Sequence, residues 1–289
     1  MNDTPPRGYV VVTGSSTGIG RATALRLARR RFRVFAGVRL KKDAKPLTDA
    51  AGDRIIPLKM DVTKPEMIAE CAAEVREVVG ESGLAGLVNN AGISVPGPIE
   101  FLPLEELRRQ LEVNVIGQVA VTQAFLPLLR EGGGRIVFVG SIGGKVASPF
   151  VGAYNASKFA LEAITDSLRV ELRPWGIEVA IVEPGSVDTP IWEKVLAEAD
   201  EIEARLPDEA RELYGEAMDA MRAALREIAA GGIPPEEVAR AISHALTSRR
   251  PKTRYLVGTS ARVQSALAKV VPDRLRDRII MRRVGLTDR

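Results

Sequence analysis

The chain has 289 residues with 45% hydrophobic and 27% charged side chains, one His and one Cys, an ordinary globular composition. A single Cys71 closes no internal disulfide, and one His with one Cys excludes a His/Cys-rich metal site, so no metal is expected. The formal net charge of +4 is uneven: residues 260–289 hold eight basic and three acidic side chains, a net of +5, leaving a near-neutral body and excluding a whole-protein nucleic-acid footprint.

In chain order, residues 1–7 are short and polar, without a signal-peptide pattern. No apolar run approaches the ~18 residues of a membrane span, and the expected compartment is the cytoplasm. Short β-branched runs at 9–13, 33–38, 55–58, 86–89, 135–140, 178–183 and 254–258 predict strands. Helical patterns lie between them near 18–30, 64–79, 104–130 and 153–173. Regular strand–helix alternation predicts parallel βαβ units in a three-layer α/β, doubly wound sheet of about seven strands. The nearly continuous apolar strands, such as Val10-Val11-Val12, suit a sheet covered on both faces. One domain over 1–259 is expected, with a basic helical extension over 260–289.

Segment 186–233 breaks the rhythm. Residues 193–237 carry 13 acids against 5 bases, with interruptions at Pro207 and Gly215, and Ile191, Trp192, Val195, Leu196, Leu206, Leu213, Tyr214, Met218, Met221 and Leu225 sit among them. An ordinary surface helix pair and a lid with an apolar inner face both fit. Its place after a strand end favours the lid, because open α/β sheets bind ligands there. The extension reads as two short helices broken at Pro272, with Asp273 as a cap and Leu275, Ile279 and Ile280 as an apolar stripe among arginines. Packing on its own domain or on a second subunit, or lying on an anionic membrane surface, all fit that pattern, and packing is favoured.

The first strand runs into Thr13-Gly14-Ser15-Ser16-Thr17-Gly18-Ile19-Gly20 and then a helix. Glycines permit a sharp turn and close approach to a pyrophosphate, and the helix N-terminus offers free N–H groups. Dinucleotide sites place an acid after the second strand for the ribose 2′-hydroxyl. This chain has Arg39 there and no acid before Asp43, which favours NADP(H) over NAD(H).

The turn, Asn89-Asn90-Ala91-Gly92, Asn114, Ser141, Tyr154 to Lys158, and Pro184-Gly185-Ser186-Val187-Asp188-Thr189 follow one another in the order of the short-chain dehydrogenases/reductases, which the chain resembles over residues 9–258. The resemblance implies a Rossmann-type domain and hydride transfer between a nicotinamide and an alcohol or carbonyl carbon. Tyr154 would be the general acid or base, Lys158 would lower its pKa and hold the nicotinamide ribose, Ser141 would polarise the carbonyl, and Asn114 would complete a proton relay. Gly14, Ser16, Thr17, Gly18, Ile19 and Gly20 would hold the pyrophosphate, and Asp61 with Val62 the adenine. Asn89, Ala91 and Gly92 would border the cofactor, with Pro184, Gly185, Val187 and Thr189 meeting its nicotinamide side. Local chemistry agrees: Tyr154 and Lys158 lie four apart at a helix start, on one face, where an ammonium and the helix dipole favour a phenolate.

The lid residues, with Val146, Ala147, Pro149 and Phe150, predict an apolar pocket. That arrangement resembles the subgroup acting on hydroxysteroids, retinoids and lipid-like alcohols. Smaller ketones and sugars remain an alternative substrate class, and a non-catalytic dinucleotide sensor or scaffold an alternative function. The resemblance also implies a homodimer or homotetramer through the helices near 104–130 and 153–173. His244 is expected at the surface or in packing, and Cys71 as a small apolar core residue.

Overall fold

The computed structural model describes residues 7–284 and residue 286; Met1–Pro6 and the chain end with Asp288 and Arg289 lie outside the described residues. Strands β1 (Tyr9–Val12), β2 (Arg33–Val38), β3 (Ile55–Lys59), β4 (Gly86–Asn89), β5 (Arg135–Val139), β6 (Glu178–Pro184) and β7 (Arg254–Val257) form one sheet in the order β3-β2-β1-β4-β5-β6-β7. Every pairing is parallel, with Val11 opposite Phe35 on one side and Leu87 on the other. The strand order reverses between β1 and β4, so the ligand crevice opens above their C-terminal ends.

Helices α1 (Gly18–Arg29), α2 (Lys45–Ala51), α3 (Pro65–Val79), α4 (Leu104–Leu111), α5 (Gly117–Glu131) and α6 (Gly152–Glu171) follow in chain order. Then come α7 (Ile191–Glu203), α8 (Asp208–Ala230), α9 (Pro235–Thr247), α10 (Thr259–Val270) and α11 (Asp273–Arg283). The period-2 alternation of each strand sends neighbouring side chains to opposite layers. Val11, Phe35, Leu87, Ile136 and Phe138 pack against α3, α5 and α6 through Val75, Phe125, Leu128 and Leu161. Val10, Val12, Val34, Val88 and Val137 pack against α1 and α9 through Leu27, Val238 and Ile242. Each fully buried large aliphatic contributes roughly 1.5–3 kcal/mol, so the two layers hold the sheet from both sides.

Several sequence expectations need correction. Gly215 does not interrupt the lid; it lies buried inside the continuous α8, and only Pro207, the residue before α8, marks a break. Asp273 makes no cap: Pro272 precedes α11, and the Asp273 carboxylate instead accepts from Arg276 at 2.7 Å. Helix Leu104–Glu131, although broken by charges in sequence, is long and apolar enough to cross a membrane by length and composition. Its Val121, Phe125, Leu128 and Leu129 are buried in this domain, so part of that apolar surface serves the core. Cys71 is buried as expected, and His244 is exposed with Nδ1 2.9 Å from the Tyr255 hydroxyl.

Candidate active site

One cleft of about 1740 Å³ runs along the C-terminal ends of the strands. At its first end the β1–α1 turn is held by Ser15, whose N–H donates to Gly37 O at 2.9 Å and whose hydroxyl donates to Val12 O at 2.7 Å. Gly18 sits at φ +53°, and a Cβ there would meet Thr189 Cγ2 at 2.9 Å, so only glycine lets the turn approach the nicotinamide-side loop. Thr17, the cap position of α1, makes no side-chain cap bond, which leaves the first-turn amides facing the cleft alongside Ser16, Gly18 and Ile19. This cradle fits a pyrophosphate. Gly20 does not line the cleft; a Cβ there would lie 2.1 Å from Gly14 O, so its role is close packing of the turn.

Farther along this end, Arg21, Arg39 and Lys42 line the wall with Asp43, Asp61 and Val62. Arg39 is exposed and makes no ion pair among the described residues, available to an incoming anion. Asp61 accepts from the Thr63 N–H at 3.0 Å and hydroxyl at 2.8 Å. Burial opposes its ionisation, yet these bonds and the nearby Arg39 charge hold its carboxyl below the usual range.

The segment after β4 divides its residues between two sheet faces. Asn89 is buried and its Nδ2 donates to Thr122 Oγ1 at 2.8 Å on α5, away from the cleft. Asn90, which sequence reasoning passed over, takes the cleft side with Ala91 and Gly92. Its Nδ2 donates to Thr13 O at 2.9 Å and Gly14 O at 3.0 Å, while Thr13 Oγ1 accepts from the Asn90 and Ala91 amides at 2.9 Å. Strand alternation is the signal that separates the two asparagines: one register step flips the face.

Ser141, Tyr154 and Lys158 come together in the middle of the cleft. Ser141 follows β5; its hydroxyl accepts from Gly143 N–H at 3.0 Å and hydrogen-bonds Tyr154. Lys158 is buried, with Nζ donating to Val139 O at 2.8 Å and lying 5.6 Å from the Tyr154 ring centroid. The expected depression of the phenol pKa is not what this geometry gives. Burial pushes Tyr154 up, only partly offset by Ser141, and pushes the Lys158 ammonium down from 10.5 to about 8. In each case removal from water penalises the charged form.

Asn114 lies in a π turn, Glu112–Ile116, between α4 and α5, and is fully buried rather than cleft-lining. Its Oδ1 accepts from Ile93 N–H at 2.8 Å, and its Nδ2 donates to Ile93 O and to Ser157 Oγ at 3.0 Å. It therefore braces the catalytic helix beside Lys158. Asn155 is a second brace missed in the sequence: its Nδ2 donates to Gly143 O at 2.9 Å and its Oδ1 accepts from Ser148 N–H at 3.0 Å. Phe150, just before α6, holds a left-handed φ of 62°, and its carbonyl accepts from Gly97 N–H at 2.7 Å. Such a backbone costs roughly 1–3 kcal/mol and persists here where the chain turns into the catalytic helix.

Pro184, Gly185, Val187 and Thr189 line the cleft beyond Tyr154, as expected. The lid follows. Ile191, Trp192, Val195, Met221 and Leu225 face inward, while Glu193, Asp200, Glu201, Asp208, Glu209 and Glu216 are exposed. Trp192 Nε1 donates to Val187 O at 2.8 Å, tying the lid to the loop below. Val146 and Pro149 also line the cleft; Ala147 does not, and Phe150 packs beneath the lid against Tyr214, ring centroids 6.1 Å apart. The C-terminal extension packs on its own domain. Ser260, Gln264, Leu267 and Ala268 of α10, Val271 just after it, and Ile279 and Ile280 of α11 close the far wall, and Val284 is buried with Val195, Met221 and Leu225.

A dinucleotide cradle opening onto a serine–tyrosine–lysine centre defines a nicotinamide-dependent oxidoreductase. A family model described as short chain dehydrogenase matches residues 8–200, and the chain belongs to that family. It is 38% identical to retinol dehydrogenase 5 of Mus musculus, over 94% of this chain and 87% of that protein. It is 37% identical to an NADPH-dependent 3-dehydrocapnine reductase of Ornithobacterium rhinotracheale, over 94% of this chain and 95% of that one. A crystal structure of a short chain dehydrogenase from Burkholderia cenocepacia in complex with NADP shares 27% identity and a TM-score of 0.74, covering 95% of this chain and 98% of that chain.

Proposed function

We propose that the enzyme uses NADP(H) to interconvert a secondary alcohol and a carbonyl group on a hydrophobic, steroid-, retinoid- or lipid-like substrate. The observation that carries the reading is the division of one cleft into two chemically different ends. Arg39, Arg21 and Lys42 gather where a 2′-phosphate would lie, and Trp192, Val195, Met221, Leu225, Leu267 and Ile280 wall the other end. Guanidinium groups bind phosphate well, and apolar walls gain from burying apolar surface. The NADPH named for one relative and the NADP held by one structural neighbour support the cofactor assignment.

When bound, the nicotinamide gives or takes the hydride. The chain's own residues do the rest. Ser141 can donate a hydrogen bond to the substrate oxygen while Tyr154 stands beside it. A phenol held protonated by burial is poised to give its proton to a developing alkoxide, as carbonyl reduction requires, and to take it back in oxidation. Lys158 supplies positive charge beneath the phenol, and the apolar lid excludes water. The exposed Ile116, in the π turn before α5, and Phe159 and Val170 on α6 support self-association as a homo-oligomer.

The test is a panel of ketones with NADPH. Apolar ring and long-chain ketones should be reduced with higher kcat/KM than small polar carbonyls. Activity confined to small carbonyls would return the alternative of a general carbonyl reductase. NADPH binding with no turnover on any carbonyl would return the sensor alternative.

A further inference from the structure

Beneath the catalytic centre lies a cluster of charged side chains that hydride transfer does not use. Glu183 is fully buried at the end of β6, immediately before the Pro184–Gly185 segment. Lys145 Nζ lies 2.9 Å from its Oε1 and 3.2 Å from Glu162 Oε2. Arg254 Nε on β7 lies 3.1 Å from Glu162 and 3.6 Å from Glu183, and its second nitrogen donates to Asp166 at 2.6 Å. Asp166 in turn pairs with Arg169.

The cluster touches every segment that carries the reaction. Lys145 is four residues after Ser141, Glu162 is four residues after Lys158 on α6, and Glu183 directly precedes Pro184. A Cβ on Gly144 would lie 2.9 Å from Lys158 O and 3.4 Å from Glu162 Cγ, so the Ser141 segment and the catalytic helix are in close contact there. We propose that Glu183 is a positioning residue which, through Lys145, Glu162 and Arg254, locks the Ser141 segment, the Tyr154–Lys158 helix and the Pro184–Gly185 loop into catalytic register. The kinetic consequence rests on the hydride-transfer reading above; the ion cluster itself does not.

The lock is pH-sensitive. The groups facing Glu183 are Lys145 from the segment after β5, Glu162 from α6 and Arg254 from β7, with Asp166 and Arg169 beyond Arg254. Burial and the adjoining Glu162 carboxyl push Glu183 up to about 7, against the pull of Lys145. Ionised, Glu183 holds Lys145 and Arg254; protonated, it releases part of that hold. Turnover should therefore rise as pH climbs through about 7.

Glu183→Gln keeps the shape and removes the charge. Its kcat should fall roughly 10- to 100-fold, the scale of a misplaced catalytic group. NADPH affinity, read from nicotinamide fluorescence, should stay within about twofold, and the inflection near pH 7 in kcat should vanish. Lys145 is less buried, and Lys145→Met, which removes the pull that lowers Glu183, should carry the inflection above the range of about pH 6–8, while Lys145→Arg restores it. If Glu183→Gln does not fold, the Lys145 pair decides. A merely structural role would lower thermal stability and leave the pH profile of kcat unchanged, and that result overturns the proposal. Should the wild type reduce no ketone, the hydride-transfer reading fails separately. The cluster is then judged by the pH dependence of NADPH fluorescence between about pH 6 and 8. Flattening in both Glu183→Gln and Lys145→Met supports the lock, and wild-type behaviour in both refutes it.

Discussion

Replacing Lys158 with Met should abolish turnover without costing stability at neutral pH. The ammonium is buried, and its pKa falls from 10.5 to about 8 because burial penalises the charge. At about 1.36 kcal/mol per pKa unit, that lowering corresponds to roughly 3 kcal/mol carried as a penalty below pH 8. Methionine fills a similar volume and removes the penalty. It also strands the Val139 carbonyl, now bonded at 2.8 Å, at a cost of about 1–3 kcal/mol. The two effects nearly cancel at pH 7. The sharper readout is the pH dependence. The unfolded chain binds the Lys158 proton more tightly than the folded one, so wild-type stability rises between about pH 8 and 10.5 and is flat, for this group, outside that window. Urea unfolding of both proteins from about pH 7 to 10 should show wild type gaining about 2.5 kcal/mol relative to Lys158→Met. A constant difference across that range would refute the reasoning.

Other outcomes follow from the same geometry. Tyr154→Phe should bind NADPH normally and lose turnover by ~10²–10⁴, the worth of one general acid–base group, in a stopped-flow or steady-state assay. Met221→Ala empties space between lid, Val284 and the cleft, and should cost about 2 kcal/mol in thermal unfolding. It should also raise KM for an apolar ketone while leaving NADPH affinity unchanged, because Met221 lies among the lid residues. Asn155→Ala unpairs Gly143 O and Ser148 N–H beside Ser141 and should lower kcat more than it raises KM.

Much of this was legible in the sequence because the signals are local. Strand patterning predicted all seven strands to within a residue or two, since continuous valine runs fit a doubly covered sheet. The glycine turn and the Tyr154–Lys158 spacing place their residues through backbone geometry alone. What failed depends on tertiary placement. Asn89 and Asn90 are adjacent and chemically identical, and only the strand register decides which faces the cleft. Gly215 reads as a breaker, yet α8 packs it against the domain and keeps its helix continuous. Lys158 looked set to favour the Tyr154 phenolate by its charge; burial, invisible in the sequence, pushes the phenol the other way and lowers Lys158 as well. The basic extension had no readable partner because its contacts with the lid and cleft come from residues more than fifty positions away.

Cofactor choice during carbonyl reduction tests the proposed activity most directly. The ratio of kcat/KM for NADPH to that for NADH, measured with one apolar ketone, should favour NADPH strongly in the wild type. Arg39→Asp, which replaces the cation lining the cofactor end with an acid, should swing the ratio toward NADH. A wild type that prefers NADH, or a ratio unmoved by Arg39→Asp, would contradict the account.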